Sequence, residues 1–121
     1  MQNSRALFIA AAIGTVFQVA MVFAGHSNAT IAGLFAVGGM GISLVAGLIY
    51  AALTEEKAAR SLAAGGALAG GACALIGILF SFALGDVPAM ILLLGTLSSA
   101  VTGALGGMAG RLFRRPSGVP V

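Results

Sequence analysis

The chain has 121 residues, of which 60% are hydrophobic and only 7% are charged, with a mean hydropathy of +1.10. Water-soluble domains carry about 25% charged residues, so this composition excludes one. Six Lys and Arg against three Asp and Glu put the isoelectric point near 10.0, but the basic residues stand beside the apolar runs and no aromatic residue interleaves with them. A base-stacking surface needs that interleaving, so no nucleic acid is expected as partner.

Four apolar runs free of charged residues occupy 6–24, 29–53, 62–84 and 87–110. At 1.5 Å per residue each reaches about 28 Å or more, against a hydrocarbon core of about 30 Å. The expected architecture is therefore all-α: one domain over 1–121, an integral membrane four-helix bundle made of two transmembrane hairpins. A short basic tail, 111–121, follows the last run.

The first run follows Arg5 and contains Gln18. Arg5 and the small residues Ser27–Ala29 resemble the ends of a secretory signal, but nineteen apolar residues exceed the usual 7–15 of such a segment. An uncleaved helix is the reading taken. Along it Ala6, Ala10 and Gly14 step by four to Gln18. In lipid, helices associate through close van der Waals contact and interhelical hydrogen bonds, so small residues at helical spacing mark contact faces. Gln18 continues its stripe, which suits an amide bonding to a neighbouring helix; a place on a polar path is its other reading.

The second run carries Gly39, Ser43, Gly47 and Ala51 at steps of four. Tyr50 is expected at an interface with a wet hydroxyl, and the following TEEKAARS segment reads as a solvated charged loop. The third run holds Ala63, Ala67, Gly70, Ala74, Gly77 and Ser81 at alternating steps of four and three, the seam of a left-handed pair. Cys73, the single cysteine, excludes an intrachain disulfide and is expected to fill apolar space. Before the fourth run, Asp86 reads as an N-cap with Pro88 in the first turn. Gly95, Ser99, Gly103 and Gly107 then repeat the step of four, and Thr96, Ser98, Ser99 and Thr102 make a hydroxyl patch.

Topology follows from basic residues near the span ends. Arg5, Lys57, Arg60, Arg111, Arg114 and Arg115 flank one set of ends, and the GHSN and GD connections have none. Both termini are expected in the cytoplasm, in a membrane of the bacterial inner type. The lipid bilayer is one partner, and a second copy or other membrane proteins are the others.

Membrane enzymes and ion-coupled transporters place ionisable groups inside the bundle, and none lies within these runs. His26 falls in a connection, and Ser98 has no His or Lys to activate it. GGALAGG and GALGGMAG lack the Lys-Ser or Lys-Thr of a phosphate loop. No catalytic residue, metal or cofactor is expected. Two functions remain. The first is an accessory, assembly or scaffold component, suggested by small stripes in excess of what one bundle needs. The alternative is a small oligomeric channel or facilitator for an uncharged or weakly polar solute, with Gln18, Ser98, Ser99 and Thr102 along the path.

Overall fold

A computed structural model describes residues 2–28, 35–55 and 58–113, with side-chain surroundings for 4–28, 37–55 and 58–110. Among the described residues four helices follow one another: α1 Gln2–His26, α2 Phe35–Leu53, α3 Ala59–Ala83 and α4 Met90–Phe113. No strand occurs among the described residues. The start of the expected second span, 29–34, and the tail from 114 lie outside the described residues.

Three segments, Ser4–His26, Ala59–Ala83 and Met90–Gly110, are long and apolar enough to cross a membrane. The apolar part of α2, Val37–Leu53, is shorter; at 1.5 Å per residue it rises only about 26 Å. Large apolar side chains point outward from the bundle, among them Phe8, Val16, Phe17, Val37, Leu68, Leu93 and Val101. Their abundance is compatible with a lipid surrounding, since contiguous apolar surface of this kind drives association in water.

Small residues fix who touches whom. Gly14 stands beside Cys73, Gln18 beside Gly77 and His26 beside Asp86. Contacts advance together along the two helices, so α1 and α3 run parallel. Pairs such as Gly107 with Leu62, Gly103 with Gly66 and Gly95 with Ile78 advance in opposite directions, so α3 and α4 are antiparallel. Helix α3 touches the other three, and α1 and α4 barely meet.

The end of the bundle near Tyr50 is the tight one. A Cβ on Gly47 or on Gly66 would strike the Gly103 carbonyl, one on Gly107 the Leu62 carbonyl, and one on Gly106 the Leu44 carbonyl. Three helices thus meet backbone to backbone. The seam of α3 differs here from its sequence reading. Ala63 and Ala67 are half-buried, whereas Leu62, Gly66, Gly70, Cys73, Ala74 and Gly77 are buried. The correction has a plain cause: α3 must serve three neighbours, and Gly65 and Gly66 permit the closest approaches. Tyr50 also departs from expectation. It is buried, its ring lies against Gly65, and its hydroxyl is 3.5 Å from Thr54 Oγ1.

At the other end, α3 closes with Gly85 at φ +80°. The Gly85 amide donates to the Phe82 carbonyl at 3.0 Å and the Asp86 amide to the Ser81 carbonyl at 2.9 Å, which satisfies the last carbonyls of the helix through a left-handed glycine. Helix α4 begins only at Met90, preceded by tight turns in which Ile91 donates to the Pro88 carbonyl and Leu92 to the Ala89 carbonyl. Asp86 is accordingly not the N-cap of α4. Its backbone ends α3, and its side chain is engaged elsewhere.

Candidate solute-binding cavity

Where the tight packing stops, a layer of polar groups begins. Gln18 Nε2 donates to the Gly39 carbonyl at 3.0 Å and to Ser43 Oγ at 3.3 Å. Ser43 in turn donates to the Gly70 carbonyl at 3.1 Å. One relay therefore ties α1 to α2 and α2 to α3, and both Gln18 and Ser43 are buried. Cys73 Sγ closes the layer, 3.3 Å from the Gly70 carbonyl and 3.8 Å from Gln18 Nε2. A carbonyl only accepts, so the Gly39 contact fixes which end of the Gln18 amide is nitrogen.

Gln18 Oε1 faces the other way. Among the described residues no donor reaches it, and a Cβ on Gly39 or Gly77 would lie 3.5 Å from it. The two glycines leave the oxygen bare toward a cavity of about 450 Å³, within the range of about 300–1,000 Å³ typical of small-molecule sites. All four helices wall it: Met21 and Val22 from α1, Met40 from α2, Ile78 from α3, and Leu94 from α4. It forms because α1 and α4 barely touch, so that only α2 and α3 bridge them.

Ser81, Ser98 and Ser99 add hydroxyls to the lining. Ser81 is only 2% exposed, and its Oγ has no hydrogen-bonding partner among the described residues. A helical serine ordinarily bonds back to its own helix; this one does not. Thr102 takes that ordinary course, donating to the Ser99 carbonyl at 3.0 Å, and it does not line the cavity. Thr96 Oγ1, also buried and unpartnered among the described residues, lies outside the lining.

Among the described residues Asp86 is the only ionisable one in the lining. It stands at the cavity's end, where His26 Nδ1 approaches Oδ2 at 2.9 Å. The pair joins the end of α1 to the α3–α4 connection. Two residues read separately, His26 in a connection and Asp86 as a cap, are thus brought together by the parallel course of α1 and α3.

The other contact-face residues sit as follows. Gly14, Ser43, Gly47, Gly70, Ala74, Gly77, Ser99, Gly103 and Gly107 are buried, and Gly39 and Gly95 are half-buried. Gly39, Ala74, Gly77, Gly95 and Ser99 also line the cavity. Sequence reasoning named Gln18, Ser98, Ser99 and Thr102 for a polar path, and set Ser81 on a packing seam with its hydroxyl available opposite that patch. The signal was present in its hydroxyl, but a seam and a cavity wall have the same spacing. Comparison with models of known protein families, with curated proteins and with solved structures yields no match.

Proposed function

We propose that the chain is an integral membrane protein that crosses the bilayer four times, with both termini cytoplasmic, and that its cavity binds an uncharged, weakly polar solute and facilitates its passage. The cavity itself carries this reading. It is walled by all four helices, presents a bare amide oxygen and an unpartnered hydroxyl, and among the described residues has no ionisable group beyond the His26–Asp86 pair. The one-sided distribution of basic residues supports the orientation, which would open the cavity outward. Passage would require the contacts among Gly47, Gly66, Gly103 and Gly107 to part.

The test is solute flux into proteoliposomes for a panel such as urea, glycerol and erythritol. Wild type should pass at least one of them, and Ser98→Trp, which fills the wall without touching the packed end, should abolish that flux. Gln18→Leu should reduce it. No flux for any solute would overturn the transport reading.

A second reading keeps the accessory or assembly role. The small stripes that first suggested it are largely taken up inside this chain's own bundle. An outer surface still favours it: an apolar groove of about 330 Å³ between α1 and α2, lined by Ile13, Phe17, Gly41 and Val45, where a Cβ on Gly41 would meet nothing. Disulfide-linked dimers of a Gly41→Cys chain in native membranes would support it; none under oxidation would count against it.

A further inference from the structure

We infer that the occupant of the cavity is a neutral amphiphile with a single hydroxyl head and an apolar body, and that it enters sideways from the lipid between α2 and α4. The inference rests on the cavity being a binding site, not on passage through it.

The head follows from the unspent hydrogen-bonding capacity. Gln18 has used both hydrogens of Nε2, on the Gly39 carbonyl and on Ser43 Oγ, and retains only an acceptor, Oε1. Ser81 retains a hydroxyl able to donate and to accept, on a residue only 2% exposed. Leaving such groups buried and unpaired is unfavourable. Both residues line one cavity, Ser81 beside Gly77 on the face of α3 against which Gln18 packs. A ligand hydroxyl satisfies this pair in full, donating to Oε1 and accepting from Oγ. A carboxylate can only accept, and would confront Oε1 with a second acceptor. An ammonium can only donate, and among the described lining residues no unpaired carboxylate awaits it, because Asp86 is held by His26.

The body follows from the walls. Met21, Val22, Ile78, Val87, Ile91 and Leu94 supply most of the lining as apolar surface, and the two methionines of the lining, Met21 and Met40, adapt to chains of varied shape. The entrance follows from exposure. Met40 on α2 is 38% exposed and Leu94 on α4 is 49% exposed, and both line the cavity. Helices α2 and α4 pack at Leu44 with Gly106, Gly47 with Gly103 and Ala51 with Gly110, none of which lines the cavity. The exposed Met40 and Leu94 lie on a flank of the bundle, which in a membrane faces acyl chains and not water.

The experiment uses the whole chain in nanodiscs and a decanol bearing a mid-chain diazirine, with cross-linked residues mapped by mass spectrometry. Unlabelled decanol, decane, decanoate and decylamine compete at matched membrane mole fractions. Labelling should fall on the Met21, Ile78 and Leu94 faces, and decanol should displace it about tenfold better than the other three, the worth of one well-made buried hydrogen bond. Ser81→Ala should erase that preference while leaving labelling by chain length intact, and Thr102→Ala should change nothing.

Equal displacement by decane and decanol, best displacement by decylamine or decanoate, or labels scattered over outward residues such as Phe8 and Val101 would each overturn the inference. So would a label that none of the four competitors displaces, because a site selective for a hydroxyl-headed chain must yield to decanol. Wild-type competition decides even if Ser81→Ala fails to fold. Solute flux that persists without decanol-selective labelling would leave the transport reading intact and sink this one; selective labelling without flux would do the reverse.

Discussion

The two ends of this bundle are built from similar residues and do opposite things. Around Gly47, Gly66, Gly103 and Gly107, glycines bring three helices into backbone contact. Around Gly39, Gly77 and Gly95 the same residue type borders a cavity. The difference lies in which helices converge. At the tight end α2, α3 and α4 share one junction, whereas at the other end α1 and α4 stand on opposite sides with almost no contact between them. A small residue therefore closes a gap only where a neighbouring backbone arrives to fill it; elsewhere it leaves space. The polar relay from Gln18 through Ser43 to Gly70 marks the boundary between the two regimes.

The sharpest way to break this contrast is to add side-chain bulk at each end. Gly103→Val would drive atoms into the Gly66 carbonyl, which no rotamer change relieves. Overpacking of a close-packed site costs about 1–3 kcal/mol and sometimes more, so thermal unfolding in mild detergent should show a loss at or beyond the upper end. Gly41→Ala on the outer surface of α2 meets nothing within 4 Å; it should be neutral or stabilise by up to about 0.5 kcal/mol through helix propensity. If both substitutions cost the same, the backbone junction does not hold the bundle together.

Next in size is the boundary layer. Gln18→Leu removes the donors to Gly39 and Ser43, each bond worth about 1 kcal/mol between membrane helices. A loss of about 1–2 kcal/mol is expected in the same assay, and no loss would mean that the relay is incidental. At the open end the effects shrink. Gly85→Ala forces a side chain into the left-handed region at φ +80°, at about 1 kcal/mol. His26→Ala releases Asp86 from a clasp whose partners are 46% and 26% exposed; such exposed pairs contribute about 0.5 kcal/mol or less. The chief result of His26→Ala should be faster hydrogen exchange in 84–89 at unchanged global stability.

Much of this was legible in the residues. The apolar runs set four helices, because a backbone among apolar side chains must satisfy its hydrogen bonds internally. Helix bounds moved by a few residues where local caps decided them, as when Gly85 ended α3 and postponed α4 to Met90. The steps of four through Ala6, Ala10, Gly14 and Gln18 picked out positions that are all buried in the bundle, since a helix turns a fixed angle per residue and a stripe in sequence is a face in space.

What the residues by themselves determined, then, is the apolar, all-helical character of the chain and part of the faces through which its helices pack, for these follow from hydropathy and helical period alone. Only the tertiary structure decided that α1 and α3 run parallel, that His26 reaches Asp86, that Ala67 gives way to Gly66, and that Gln18 and Ser81 face one cavity while Thr102 bonds to its own helix. Those outcomes depend on which faces meet at which height. Glycine, alanine and serine have nearly the same small profile at a contact and at a void, so their pattern in one dimension does not distinguish the two.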